Sequence, residues 1–312
     1  MRAKILNLKS LPAAIAIALC LSVAALAQPG RSLLESKESL YNNIYIYQAD
    51  NLVYLTFGHN KRLYTESIYN ALDDRELPVP YTRFMTVGLA YARNADHILE
   101  IGFGGGRTAW YLHRFLPNSQ VTSVELDPDV LALAKKYFGV KDEPNFSVAT
   151  SDGRLYLKKS TQTYDVIMVD AYRGPFVPFH LLTKEFYDLL KSRLAPGGVL
   201  VQNIEPSTML FDSAAATIGA VFAHEDLYLS EGNVVMVAYD GESATRKSLE
   251  EKASLRQKDY ALRYDLVEML AHRQPLDSSE AVDRSAKILT DDFAPVETLK
   301  AIEKRNRKWA EP

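Results

Sequence analysis

The chain has 312 residues, 47% of them hydrophobic, a formal net charge of −3 and one cysteine, Cys20. The length suits one full-sized α/β domain with a small appendage. The acidic balance argues against nucleic acid as a partner, and the lone cysteine removes disulfides and the commonest sulfur ligand of a zinc site.

Residues 1–27 read as a signal peptide: Arg2, Lys4 and Lys9 precede an apolar run, and Ala25-Leu26-Ala27 before Gln28 fits a small-x-small cleavage site. The apolar run is short of the roughly 20 residues that a membrane helix needs. A periplasmic or secreted protein with no membrane span after cleavage is therefore expected, with an inner-membrane anchor as the alternative. Removing 27 residues that carry three positive and no negative side chains leaves 285 residues at a net −6.

Residues 28–76 form an N-terminal β-hairpin unit in this reading. Residues 28–39 are a loop or short helix, and 41–48 and 51–57 are rich in β-branched and aromatic residues around a turn at Ala49-Asp50. Residues 61–69 supply a third strand or turn. After the stiff connector 77–80, residues 77–312 make a Rossmann-like domain with C-terminal helices. It begins with a helix over 81–92. The strands follow at 98–101, 121–125, 146–149, 164–169 and 199–202. Helices are expected at 108–116, 128–138 (capped by Asp127), 154–159, 183–194 and 213–222. The segment 195–198 should turn the chain into the fifth strand. A hairpin at 225–229 and 233–239, an amphipathic helix over 244–271 and a terminal basic helix complete the chain.

The chemistry gathers at the strand ends, where open α/β sheets hold their ligands. Strand 98–101 runs into Gly102-Phe103-Gly104-Gly105-Gly106, a turn whose backbone can approach a ligand closely. Glu125 ends the next strand about twenty residues on, where an acid can accept from ribose hydroxyls. Asp152 ends the third strand and offers an acceptor for an adenine amino group, and Asp170 ends the fourth. The six histidines show no metal-ligand spacing, so no metal is expected; His180, in the loop after the fourth strand, is a candidate base.

Glu100, Gly102, Gly104, Gly106, Glu125 and Asp152 resemble the cofactor motifs of S-adenosylmethionine-dependent methyltransferase folds. More specifically, from about Glu38 to Tyr239 the chain is similar to the spermidine synthase (polyamine aminopropyltransferase) family. The resemblance rests on Glu38-Ser39-x-Tyr41-x-x-Ile44, the Tyr81 helix start, the run from Tyr164 to Asp170, and Thr183-Lys184-Glu185-Phe186-Tyr187. It implies an α/β Rossmann-like fold with a small N-terminal antiparallel β unit. It also implies transfer of an aminopropyl group from decarboxylated S-adenosylmethionine to a small-molecule amine. Family members commonly form dimers or tetramers, which admits a homodimer here.

Two departures stand out. The family's Asp-x-x-Asp after the fourth strand is Asp170-Ala171-Tyr172-Arg173, so Arg173 stands where the usual catalytic acid would be. The glycine loop has Gly105 where the family has an aspartate, and Arg107 follows. Arg107 and Arg173 either face a carboxylate, as in intact S-adenosylmethionine, or lie on the surface. Asp170, Glu205 and Tyr81 are the candidates for catalysis, with Asp291 or Asp292 as further sources of a carboxylate. A methyltransferase with a non-polyamine acceptor, and a non-catalytic exported protein that binds a polyamine or nucleoside, are the alternatives.

Overall fold

A computed structural model describes residues 30–208, 210–276, 282–283 and 285–292. The expected signal peptide and the terminal basic helix lie outside the described residues. The first four strands, β1 (Ser32–Glu38), β2 (Asn43–Ala49), β3 (Leu52–His59) and β4 (Arg62–Asn70), form an antiparallel sheet in that order. Asn60 and Lys61, both at positive φ (48° and 63°), close the β3–β4 hairpin as a two-residue loop whose twist suits the strands. β1 replaces the expected loop or short helix. It is an edge strand held by pairing to β2 and exposed at nearly every position, so it has no buried face to leave an alternating pattern.

The second sheet has eight strands. Five are parallel neighbours: β5 (His97–Ile101), β6 (Gln120–Glu125), β7 (Phe146–Thr150), β8 (Tyr164–Val169) and β9 (Leu194–Ile204). The antiparallel β10 (His224–Ser230), β11 (Asn233–Tyr239) and short β12 (Arg273–Pro275) extend it past β9. The order is β12-β10-β11-β9-β8-β5-β6-β7. The chain winds outwards in both directions from β5, so the crevice beyond β5, β6 and β8 is the topological switch point. All six residues of β8 are buried, as expected of a strand covered on both faces.

The helices are α1 (Pro80–Met85), α2 (Gly88–Tyr91), α3 (Arg107–Phe115), α4 (Pro128–Tyr137), α5 (Gly153–Lys159), α6 (Lys184–Lys191), α7 (Phe211–Gly219), α8 (Arg246–Tyr260) and α9 (Leu266–Leu270). Asp127, Asp152 and Thr183 cap α4, α5 and α6 by accepting from backbone N–H groups. The single helix expected over 81–92 is two short pieces. Gly88 presses the second onto β9, where a Cβ would stand 2.4 Å from the Val201 side chain. The long helix expected over 244–271 breaks at Ala261, whose φ of 49° leaves the helical region, and Asp265 restarts it as the cap of α9. The expected turn at 195–198 lies within the bounds of β9 as an irregularity: Leu194 pairs with Tyr164 and Val199 with Val166, and Gly197 between them has a φ of +82°.

One contact fixes how the ends of β5 and β8 meet. Gly102 has a φ of +96°, and a Cβ there would stand 2.3 Å from the Asp170 carbonyl oxygen. Gly104 also has positive φ (+52°), but a Cβ there would meet nothing within 4 Å. Gly102→Ala should therefore cost about 3 kcal/mol, from overpacking and left-handed strain. Gly104→Ala should cost about 1 kcal/mol, from strain alone. Urea unfolding of the two variants side by side checks the difference.

Candidate functional site

A cavity of about 340 Å³ opens beyond the carboxyl ends of β5, β6 and β8 and is roofed by β4 and the β1–β2 connection. One half is lined by the glycine loop, Glu125, Asp152 and the 178–181 segment; the other by Tyr81, Asp170, Tyr172, Phe57 and Glu66.

In the first half, Glu125 is buried at the end of β6. Its Oε2 accepts from the Phe103 and Gly104 N–H groups, both at 3.1 Å, and its Oε1 accepts from Asp127 N–H at 2.9 Å. Three of its roughly four acceptor positions thus hold the loop in shape. Burial pushes its carboxyl above the ordinary value, against the pull of these three donors. Asp152 is similarly engaged: Oδ1 accepts from Leu155 N–H at 2.8 Å, and Oδ2 lies 2.7 Å from His180 Nε2. The His180 imidazole, considered as a base for the acceptor, is instead latched to the first half of the cavity.

Two residues expected at the ligand lie behind it. Glu100 does not line the cavity: Ser123 Oγ donates to its Oε2 at 2.7 Å, and the Ala109 N–H also reaches it. The alternation of β5 sends Ile101 to the cavity and Glu100 under α3. Gly106 is the N-cap residue of α3, with the Phe103 ring filling the space where its side chain would be.

Arg107 fits neither of its two expected places. It is 4% exposed, so it is not a solvated surface residue. Its Nη1 donates to the Phe138 carbonyl at 2.8 Å, Nη2 donates to the Asp74 carbonyl, and its guanidinium carbon lies 4.6 Å from the centre of the Tyr69 ring. Burial pulls its pKa down to about 10. Both terminal nitrogens are spent clamping the N-terminal sheet to the domain, although the side chain borders the cavity.

In the second half, Tyr81 Oη donates to Asp170 Oδ2 at 3.0 Å, and Asn203 Nδ2 donates to Oδ1 at 2.9 Å. Burial raises the Asp170 carboxyl to about 6 despite both donors. Tyr172 Oη donates to the Asn203 carbonyl at 3.2 Å and accepts from Glu205 N–H at 2.9 Å. Glu205 is half-buried beyond this pair; its carboxylate accepts from Ser207 Oγ and is not part of the cavity wall. Arg173 is exposed at the mouth, its N–H donating to the Phe176 carbonyl at 2.8 Å. Asp291 lies away from the cavity in a bidentate pair with Arg154, at 2.7 and 2.5 Å.

Sequence reasoning missed Glu66, whereas Asn203 lies in the strand-end run 202–205 that it had marked for the site. Leu55 pairs with Ser67 and Thr56 with Thr65, which leaves Glu66 as the extra residue of a bulge in β4. It lines the cavity, and its Oε1 is buried without a hydrogen-bond partner. An acid inside an otherwise β-forming run was the available signal. Among the described residues, no group of three or more His, Cys, Asp or Glu side chains is placed to hold a metal, and no helix is long and apolar enough to cross a membrane.

A glycine turn, an acid after the second strand and a half-buried acid at the end of the fourth, all at the switch point, belong to the class of Rossmann-like methyltransferase folds. Residues 80–228 match the spermine/spermidine synthase domain. The polyamine aminopropyltransferase of Vibrio vulnificus (strain CMCP6) is 29% identical over 289 residues, covering 90% of this chain and 96% of the relative. That of Chromobacterium violaceum is 30% identical over 182 residues, covering 56% and 70%. The chain belongs to the spermine/spermidine synthase family. A probable spermidine synthase from Corynebacterium glutamicum shares the fold with a TM-score of 0.65 at 22% identity, over 84% of this chain and 97% of that one. Human methyltransferase-like protein 13 in complex with SAH matches with a TM-score of 0.52 at 25% identity, over 64% and 96%.

Glu100 yields a stability prediction. Burial raises its carboxyl from an ordinary 4.5 to about 8, so the folded state holds a proton that the unfolded state releases. That stabilisation is complete below about 4.5 and is lost as pH rises through about 8. Wild-type melting temperature should therefore fall as pH rises from about 5 to about 8 and level off above it. Glu100→Gln, neutral at every pH, should flatten this part of the curve in thermal melts.

Proposed function

We propose that the protein is an aminopropyltransferase that takes decarboxylated S-adenosylmethionine as donor and a small aliphatic amine as acceptor. The observation that carries this reading is Asp170, half-buried at the junction of the two halves and oriented by Tyr81 and Asn203. The amine nitrogen attacks the donor carbon beside the sulfonium. A new C–N bond forms, the C–S bond breaks with its electron pair passing to sulfur, and methylthioadenosine leaves. The nitrogen must shed a proton, and the Asp170 carboxylate is the group placed to accept it. Tyr81 and Asn203 fix its two oxygens so that little reorganisation accompanies the transfer.

The donor fits the cavity chemically. The glycine loop and Glu125 line the half that suits a nucleoside, and the spermidine synthase and methyltransferase neighbours support a ligand related to S-adenosylmethionine. The acidic walls favour a sulfonium and an ammonium. The intact donor adds a carboxylate, and Arg107 is already committed to the Phe138 and Asp74 carbonyls. Arg173 favours a second reading, methyl transfer from the intact donor, because its guanidinium is exposed at the mouth and lines the cavity.

Incubation with decarboxylated S-adenosylmethionine and putrescine should release methylthioadenosine and form spermidine. Release of S-adenosylhomocysteine from the intact donor, with no aminopropyl product, would establish the second reading instead. Asp170→Asn should lower kcat by about 10²–10⁴-fold while donor affinity stays within a few-fold. The base works ionised, so kcat/KM should fall as pH drops below about 6, the raised Asp170 value.

We also propose export. N-terminal sequencing of the protein from the extracytoplasmic fraction should begin at Gln28; full-length chain confined to the cytosol would overturn this.

A further inference from the structure

Glu66 is the one carboxylate of the cavity wall with a buried oxygen that meets no donor among the described residues. The other acids are engaged: Glu125 by three N–H groups, Asp152 by a cap and His180, and Asp170 by Tyr81 and Asn203. Leaving a carboxylate oxygen buried and unpaired is costly. Asp170 and Glu205 add to that cost by repelling its charge and, with burial, push its carboxyl well above the ordinary range. The bulge shows that the position is built. With Leu55 opposite Ser67 and Thr56 opposite Thr65, the extra residue re-aims the β4 side chains towards the cavity. Ser67, the next residue, also lines the cavity and sits against Gly105, where a Cβ would meet Ser67 Oγ at 2.5 Å. Glu66 therefore lies beside the glycine loop, which has no acid of its own.

We infer that Glu66 is a binding residue for an aliphatic primary ammonium, carried by the donor or by the acceptor. A protonated amine would give the buried oxygen its missing donor and set a positive charge between Glu66 and Asp170. Arg173 cannot fill this place, since it is exposed at the mouth. The inference rests on the aminopropyltransferase reading and adds to it the group that selects a cationic chain.

Calorimetric titration of the full chain with three probes provides the test. Methylthioadenosine has the nucleoside and no ammonium, decarboxylated S-adenosylmethionine adds the donor's ammonium, and putrescine brings the acceptor's. Glu66→Gln should leave methylthioadenosine within about twofold of wild type. It should weaken decarboxylated S-adenosylmethionine or putrescine at least tenfold, about 1.4 kcal/mol, and whichever probe loses affinity identifies the source of the ammonium. Unchanged affinity for both amines in the variant would overturn the Glu66 assignment and leave the aminopropyltransferase reading standing. Equal losses on all three probes would also overturn it, by making Glu66 a structural residue. Wild-type protein that binds neither amine would overturn both. Should Glu66→Gln not fold, Glu66→Asp carries the test. It keeps the charge but withdraws it by one methylene, so the amines should weaken and methylthioadenosine should not.

Discussion

Asp170 is held where ionisation is costly, and two donors partly offset that cost. Tyr81 and Asn203 hold its two oxygens, yet burial still leaves the carboxyl near 6. Such a group is poised between holding and taking a proton near neutral pH, which a general base requires. Its position is fixed by backbone before any side chain acts. Asp170 N–H donates to the Ile101 carbonyl at 2.8 Å, and its own carbonyl lies where a side chain on Gly102 would clash. The glycine turn and the acid are thus one construction, made by β5 and β8 ending side by side.

The roof depends on a second constraint. The N-terminal sheet could sit on the α/β domain in several ways if apolar contact alone held it, because such contact has no direction. Arg107 supplies the direction. From the first turn of α3 its fork reaches the Asp74 carbonyl beyond β4 and the Phe138 carbonyl at the end of α4, with the Tyr69 ring against its face. A buried guanidinium is expensive unless its donors are used; here both terminal nitrogens are used, Nε meets no partner among the described residues, and the two bonds fix the sheet at one height above the glycine loop. On the other side, Asp127 Oδ2 accepts from Ser39 Oγ at 2.5 Å and from Asn42 Nδ2 at 3.1 Å, tying the β1–β2 connection to the cap of α4. The two anchors set the spacing between Glu66 in the roof and Asp170 in the floor.

Much of this was legible in the sequence, and what was not has a physical explanation. The central strands are continuous apolar runs, and the acids at their ends follow directly, so Glu125, Asp152 and Asp170 could be placed without coordinates. Tyr81 and Asp170 were both candidates from the sequence, but nothing in it paired them; the structure supplies the bond between them. Glu100 was misplaced because a motif fixes the order of residues but not the face of the strand. Arg107 was misread because an arginine beside a glycine loop suggests an anion, whereas here backbone carbonyls satisfy it. β1 left no pattern because it buries nothing, and Glu66 was hidden by a bulge, which shifts every later residue against simple alternation.

The same reasoning resolves the two arginines that seemed to unbalance the site. Charge at a cavity is weighted by burial, since a solvated guanidinium is screened by water and salt while a desolvated carboxylate is not. Arg173 at the mouth is exposed and screened, and Arg107, although it keeps its charge, turns both terminal nitrogens to carbonyls rather than to Glu66 in the roof or Asp170 in the floor. Counting residues suggests a site that has gained positive charge and lost acids. Weighting each charge by its surroundings gives a different balance, a rim with one screened cation and a wall on which Glu66, Glu125, Asp152 and Asp170 outnumber the buried Arg107. An arrangement of this kind disfavours a ligand that carries its carboxylate inwards and favours one that carries its amine inwards.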